Sequence, residues 1–154
     1  MAVVRILVDG YSLLHAWPEL ARGEPRHSAR AREALIRVLT QYADSGGTPV
    51  TLFFDGAGAP KDVPESLSPD SLEILYSRGS KTADDLIERT AYRLKPYGEA
   101  LAVTNDFAER DTVISMGGLA QSCEDFIREI DRVLKERDDF VKKYNRREAN
   151  RYKS

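Results

Sequence analysis

The stretch that decides the fold lies at the start of the chain and reads AVVRILVDG, residues 2–10. Its first seven residues are nearly all apolar, as in a strand buried on both faces of a parallel sheet, and Asp9-Gly10 ends that strand. The pattern recurs in PVTLFFDG at residues 49–56, and in shorter form in LEILYS at residues 72–77 and ALAVTND at residues 100–106. We therefore predict four strands, each followed by a turn or a helix start that carries an aspartate.

The segments between these strands have the period of helices. Ser28 is a suitable N-cap for a helix whose apolar residues recur three and four positions apart until Gly46-Gly47 ends it. Further helices are predicted to begin at Thr82, Phe107 and Ser122, the last after a short edge strand at residues 119–121. Strands that alternate with helices indicate βαβ units with right-handed crossovers, so the predicted fold class is α/β with a mainly parallel sheet.

Composition limits the classes of protein that the chain can represent. With 154 residues and 42% hydrophobic content, it fits one domain with a sizeable core. No stretch reaches the ~18 apolar residues of a membrane span, and the first strand begins too early to leave room for a signal peptide. A single cysteine, Cys123, excludes an internal disulfide and suits a reducing compartment. We expect a cytoplasmic protein with no membrane contact.

Charge is distributed unevenly along the chain. Residues 142–154 contain six Lys or Arg against one Glu, a local charge of +5. Because the net charge of the chain is −2, residues 1–141 carry −7. This basic tail is either a solvated helix end whose cations oppose the helix dipole or a contact for nucleic acid or the ribosome. We predict that the last helix covers the sheet rather than forming a coiled coil, which favours a monomer over a dimer, and that it frays beyond Tyr144.

The aspartates at the strand ends carry the functional argument. The carboxyl ends of parallel strands share one edge of a sheet, so four carboxylates are expected to converge there: Asp9, Asp55, Asp84 and Asp106. Each aspartate alone is an ordinary turn or cap residue, but a cluster of them repels itself unless a cation is present. His15 and His27 have no ligand-like spacing, so oxygen ligation of Mg²⁺ or Mn²⁺ is expected instead of a zinc site. Such ions support phosphodiester hydrolysis.

Asp84 and its neighbour Asp85 cannot share this role, because adjacent helical residues point about 100° apart. Asp85 is the third residue of the helix that follows Thr82, the position from which an acidic side chain closes a capping box. We therefore predict Asp85 as a cap and Asp84 as a ligand.

The chain resembles the YacP-like branch of the NYN domains, which are relatives of the PIN nucleases. The motifs that carry this resemblance, spread over about residues 3–135, are ILVDGY at 6–11, AWPEL at 16–20, FFD at 53–55, KTAD at 81–84, TND at 104–106 and Gly117-Gly118 before a Ser-capped helix. The resemblance implies a PIN-like three-layer α/β/α sandwich with a long C-terminal helix. It assigns residues 1–135 to the nuclease domain and leaves 136–154 as a charged helical extension with the basic tail.

The resemblance also implies a function and a set of site residues. Members are divalent-metal-dependent endoribonucleases, and their catalytic and metal-binding aspartates correspond to Asp9, Asp84 and Asp106, with Asp55 as a candidate fourth ligand. We expect cleavage of single-stranded RNA such as mRNA, with the ribosome as a candidate partner. This chain departs from the family at Ser12, where members usually have Asn, and a hydroxyl has fewer donors and less reach than an amide.

Residues beside the aspartates are candidates for substrate contact. Ser80 and Lys81 precede the acidic helix and could hold a phosphate, and Ser12 could do so after the first strand. Tyr11 lies on a predicted loop after that strand and either stacks on a base or joins the core, and Asn105 either orients a water or caps a helix. Residues 56–71 contain three prolines and are predicted to form a mobile flap beside the site.

Two other functional classes lack residues that they require, and one alternative remains open. A receiver-type signalling domain needs a partner lysine after a late strand, which is absent after residues 101–104. A dinucleotide-binding domain needs G-x-G-x-x-G between the first strand and a helix, but Gly56-Ala57-Gly58 leads into Pro60. The serious alternative is a catalytically weak or inactive module that keeps the fold and binds RNA or the ribosome.

Overall fold

The computed structural model describes residues 3–25, 27–56 and 71–151, together with the backbone of residues 66–67. Within these residues six strands form one sheet: β1 Val3–Asp9, β2 Val50–Phe54, β3 Ser66–Leu67, β4 Leu72–Tyr76, β5 Glu99–Val103 and β6 Leu119–Gln121. Their order across the sheet is β3-β4-β2-β1-β5-β6, and only the β3–β4 pairing is antiparallel. The mainly parallel sheet predicted from the sequence is confirmed.

Six α-helices connect and cover the strands: α1 Gly10–Ala16, α2 Pro18–Ala21, α3 Ala29–Gly46, α4 Ala83–Leu94, α5 Phe107–Ser115 and α6 Cys123–Arg151. A 3-10 turn, Lys95–Tyr97, follows α4. The Ser28 hydroxyl accepts the Ala31 N–H at 3.1 Å and the Ser122 hydroxyl accepts the Asp125 N–H at 3.1 Å, so both predicted N-caps are confirmed. The sequence analysis missed α1 and α2, because it assigned the segment after β1 to a loop.

Alternate residues of each strand point to opposite faces of the sheet, and each face has its own apolar core. One core joins Val8, Leu52 and Phe54 to α1, α3 and α6. The other joins Leu7 and Phe53 to α4 and α5. Because helices cover both faces, the predicted three-layer α/β/α arrangement is confirmed.

The start of α1 explains the Asp9-Gly10 pair. A Cβ on Gly10 would lie 2.4 Å from the Phe54 ring and 2.9 Å from the Phe53 carbonyl oxygen, so only glycine lets α1 begin this close to β2. The turn therefore holds the Asp9 side chain at the carboxyl end of the sheet.

The last helix extends well past the body of the protein. Phe126 and Ile130 are buried, and Arg137 donates to the Ser45 hydroxyl of α3 at 3.0 Å. Residues 138–147 are exposed, yet the helix continues to Arg151, so the predicted fraying beyond Tyr144 is wrong. The predicted boundary at residue 135 falls inside this continuous helix.

Two other expectations concern the predicted flap and membrane spans. Most of the predicted flap at residues 56–71 lies outside the described residues. In the part of the chain that the structure describes, no helix is both long and apolar enough to span a bilayer.

Candidate active site

Asp9 lies at the end of the central strand β1 and also begins α1. Its Oδ1 accepts the backbone N–H of Ser12 at 3.3 Å, so the carboxylate serves as the N-cap of the helix. The pKa of Asp9 is raised to about 6 from the ordinary 3.8: burial is the main cause, the charges of Asp84 and Asp106 add to it, and backbone hydrogen bonds oppose it. The central strand thus ends in a carboxylate whose charge is unfavourable without a cation.

Asp84 is brought to Asp9 by the packing of α4 over the sheet. Thr82 caps α4: its hydroxyl accepts the Asp85 N–H at 3.2 Å, and the Asp85 carboxylate accepts the Thr82 N–H at 3.0 Å. The predicted cap role of Asp85 is confirmed. Asp84 points elsewhere and meets Asp9 and a third acid, Glu109, with one carboxylate oxygen of each residue within 4.8 Å of the others. These three residues are called the acidic trio below.

Glu109 is a site residue that the sequence analysis missed. It follows Asp106 by three positions, a spacing that predicts a capping box in which Glu109 would accept the Asp106 N–H. In the structure that N–H donates instead to the Thr104 hydroxyl, at 3.1 Å. The Glu109 side chain is therefore available to the trio, and the Asp-x-x-Glu spacing was the one sequence signal that placed an acid there.

The surroundings of Glu109 are unfavourable for a charged carboxylate. Its side chain is buried, with 2% of the residue exposed, and neither carboxylate oxygen has a hydrogen-bond partner among the described residues. Burial, and after it the adjoining Asp84 carboxyl, raise the pKa of Glu109 far above its ordinary range. An ionised Asp84 can accept a hydrogen bond from a protonated Glu109 but cannot donate one. If both carboxyls are ionised, neither can donate to the other, so the pair requires either a shared proton or a cation.

Asp106 and Asp55 lie outside the trio. Asp106 is exposed and caps α5, with Oδ1 accepting the N–H groups of Ala108 at 2.9 Å and Glu109 at 3.3 Å. Its charge still raises the pKa values of Asp9 and Glu109, which places it beside them. Asp55 follows the last residue of β2 and is half-buried. The structure therefore brings Asp9 and Asp84 together directly, and Asp106 to their edge.

Ser12 and Asn105 connect the elements around the trio. The Ser12 hydroxyl accepts the Asn105 N–H at 3.1 Å and lies 3.4 Å from the Cys123 sulfur. The Asn105 side chain accepts the Cys123 N–H at 2.8 Å and donates to Glu124 at 2.9 Å. Both side chains thus bind together α1, the loop before α5 and the start of α6.

The remaining predicted substrate residues lie in different environments. The Tyr11 ring packs 5.1 Å from the Phe54 ring, and its hydroxyl is buried without a partner among the described residues. Ser80 and Lys81 are exposed in the loop between β4 and α4, just before the capping residue of α4. Of these three, Ser80 and Lys81 are on the surface and Tyr11 packs against the core.

Comparison with known proteins identifies the family. Residues 6–154 match the model of the YacP-like NYN domain. YacP of Bacillus subtilis is 29% identical over 129 residues, 83% of this chain and 75% of the relative. The crystal structure of Rae1 (YacP) from the same organism has a TM-score of 0.80 at 25% identity and covers 97% of this chain and 85% of that one. A single-substitution mutant of Rae1 gives 0.77 at 25% identity, over 92% and 82%.

The solved structures agree with the predicted PIN-like fold over nearly the whole chain, and the relative and the family model agree with the motifs that carried the resemblance. The chain belongs to the YacP-like NYN domain family.

Proposed function

We propose that this protein is a divalent-metal-dependent endoribonuclease that hydrolyses single-stranded RNA at the acidic edge of its sheet. The observation that carries the proposal is the acidic trio, Asp9, Asp84 and Glu109, in which carboxylate oxygens from three elements approach within 4.8 Å. Family membership in the PIN-like nucleases supports an RNA substrate. Carboxylates this close repel one another unless a proton or a cation lies between them, and a bound cation accounts for their convergence.

The donor set fits a hard cation. All three members of the trio offer oxygen, and both Glu109 oxygens are buried without a protein donor in the described part of the chain. Oxygen ligands favour Mg²⁺ or Mn²⁺ over zinc. When bound, such an ion polarises a phosphoryl oxygen and lowers the pKa of a water for attack.

The protein groups have separate parts in this proposal. Asp9 and Asp84 hold the cation on the side of β1 and α4, and Glu109 holds it from α5. Asp106 uses Oδ1 for its two backbone hydrogen bonds, which leaves Oδ2 at the exposed side of the site to contribute a further ligand or to orient a water. Asp55 remains a candidate outer ligand, next to the end of β2.

Substrate binding is assigned to groups at the surface of the same edge. Ser80 and Lys81 precede Asp84 in the chain and can contact a phosphate, whereas Ser12 and Asn105 position the backbone around the site. Tyr11 lies in the first turn of α1, and its ring packs against Phe54. The basic tail adds electrostatic affinity for RNA or for the ribosome, and the protein acts as a cytoplasmic monomer.

The proposal is tested by incubating labelled single-stranded RNA with the protein in Mg²⁺, in Mn²⁺ and in EDTA. Cleavage is expected with either metal and should stop in EDTA. Asp84→Asn should reduce the rate at least about a hundredfold, whereas Asp111→Asn, an exposed acid on α5, should leave it unchanged.

The rival function is an RNA-binding module without catalysis, in which Ser12 marks the loss of a family residue. RNA binding with no cleavage in either metal would establish the rival function. Cleavage that persists in EDTA, or in Asp84→Asn at the wild-type rate, would contradict the metal-dependent mechanism.

A further inference from the structure

A groove outside the acidic trio runs along the opposite side of α4. It has a volume of about 340 Å³ and lies between α4 and the end of strand β4. It is lined by Leu75, Tyr76, Leu86 and Thr90, together with the cations Lys81, Arg89 and Arg93. All three cations are exposed. The groove therefore combines apolar surface with positive charge.

The helical period places Arg89 and Arg93 away from Asp84. At 100° per residue, Arg89 and Arg93 lie about 140° and 180° around α4 from Asp84. Ile87 and Ala91 are buried against the sheet between these two sides. One helix thus presents an acid to the trio and a row of cations to the groove.

The cations of the groove have no carboxylate partner among the described residues. Asp85, four positions before Arg89 and thus at ion-pair spacing, directs its carboxylate to the Thr82 N–H instead. Some arginines elsewhere are paired with carboxylates: Arg132 bonds Glu129 at 2.8 Å and Glu136 at 3.0 Å, and Arg30 lies 3.4 Å from Glu24. The residues before the tail carry a net charge of −7, so three exposed cations gathered around one groove of this acidic body mark the groove as a site for an anion.

We propose that this groove binds the phosphates of the RNA strand on one side of the cleavage site. The inference rests on the proposed function, because the acidic trio defines the cleavage site beside which the groove would hold RNA. Lys81, at one end of the groove, is three residues before Asp84. From the start of α4 to Arg93 the helix extends about 15 Å, which gives a polyanion several successive contacts. Leu75 and Leu86 offer apolar surface to the sugar and base faces of the same nucleotides.

The experiment compares two double variants that each remove two arginines four residues apart. Arg89→Gln with Arg93→Gln empties the groove of two cations, and Arg128→Gln with Arg132→Gln removes two ion-paired arginines of α6. Binding of fluorescent single-stranded RNA is measured by anisotropy in EDTA across a series of salt concentrations. The groove variant should bind about tenfold more weakly at low salt, and its slope of log K against log[salt] should fall by about 1.4, which is 0.7 for each lost phosphate contact. The α6 variant should match the wild type.

A charge-preserving variant separates electrostatics from loss of structure. Arg89→Lys with Arg93→Lys should keep most of the wild-type salt slope, because Lys remains a cation that binds phosphate as a point charge. If the Lys variant loses as much slope as the Gln variant, or if the Gln variant keeps the wild-type slope, the groove does not bind phosphates and the proposal is overturned.

Cleavage assays keep this test distinct from that of the proposed function. With Mg²⁺, the groove variant should show a KM raised about tenfold and an unchanged kcat, because the trio is intact. A wild type that cleaves no RNA would refute the proposed function, while the binding data in EDTA would still decide whether the groove holds RNA.

Discussion

The acidic trio and the long helix α6 deal with charge in opposite ways. In the trio, Asp9, Asp84 and Glu109 lie close together at the sheet edge, and Glu109 has no donor among the described residues. On α6, charges are exposed and alternate in sign, so Arg132 lies between Glu129 and Glu136. Water and neighbouring charges stabilise the second arrangement, whereas the first requires protons or a cation. The stability of charged groups in this protein therefore depends less on how closely they lie together than on whether water, a proton or an opposite charge compensates each of them.

The largest expected effect comes from removing one charge of the trio. Glu109→Gln should reduce metal-dependent RNA cleavage at least about a hundredfold, because a buried ligand of the proposed cation is lost. In EDTA at neutral pH the same variant should unfold at a higher temperature than the wild type, since folding no longer has to bind a proton to a buried carboxyl whose pKa is raised. Thermal denaturation with and without Mg²⁺ measures this.

The matched control on α6 is Glu136→Gln, which removes one exposed carboxylate. It should change the free energy of unfolding by less than about 1 kcal/mol and leave cleavage unaltered. Equal effects of the two substitutions would abolish the contrast between the trio and α6.

The next largest expected effect is a change in the stability of the metal-free protein with pH, which arises from the raised pKa of Asp9 in the trio. The folded-state pKa of Asp9 is raised to about 6 from 3.8, so its contribution to the stability of the metal-free protein is fully present below pH about 4 and is lost as the pH rises through 6. The loss is at most about 3 kcal/mol for a shift of this size. Binding of a cation requires the ionised form, so the rise in Tm caused by Mg²⁺ should be larger at pH 8 than at pH 5.

Denaturant unfolding of the metal-free protein at pH 4.5 and 7.5 checks the sign of this dependence. The Asp9→Asn variant should show a weaker pH dependence in that window, and the raised pKa of Glu109 should supply what remains. A metal-free protein that became more stable between these two pH values would contradict the assignment of a raised pKa to Asp9.

Ser12 joins the two regions, and its substitution should have an intermediate effect. Its N–H donates to Asp9, and its hydroxyl accepts the Asn105 N–H and contacts Cys123 at the start of α6. Ser12→Ala leaves the Asn105 N–H without this acceptor and should lower the free energy of unfolding by about 1–2 kcal/mol. Chemical denaturation followed by circular dichroism gives the value.

The family residue provides the comparison at this position. Ser12→Asn keeps an acceptor and should stay within about 1 kcal/mol of the wild type, with cleavage equal or higher. A loss of cleavage in Ser12→Asn would mean that the site of this chain has adapted to the hydroxyl.

The smallest effect on stability is expected from the end of α6. Deleting residues 142–154 removes only helix that extends past the body, so the free energy of unfolding should change by less than about 0.5 kcal/mol. RNA binding should weaken most at low salt, and the slope of log K against log[salt] should fall by at most about four for the six cations lost. An unchanged slope would show that the tail is a solvated helix end.

The local sequence was sufficient to predict the layers of this protein. Continuous apolar runs gave β1 and β2, three- and four-residue periods gave α3, α4 and α6, and Ser28, Thr82 and Ser122 were recognised as caps because their hydroxyls act within one turn of the helix. The same local patterns placed Asp9 and Asp106 at helix starts. Helix α1 was missed because its first residue is Gly10, which resembles a turn, and only contact with Phe54 explains it.

The sequence predicted that Asp9 and Asp84 would meet, but tertiary structure decided that Glu109, and not Asp106 or Asp55, completes the trio. Asp84 reaches Asp9 because α4 returns from β4 and packs over β1 and β5. The Asp106 N–H donates to the Thr104 hydroxyl instead of to Glu109, so the Glu109 side chain is available to join them. A sequence states which carboxylates begin a helix, since capping depends on neighbouring residues, but the rotation and crossing of packed helices determine which carboxylates meet, since that depends on the core between them.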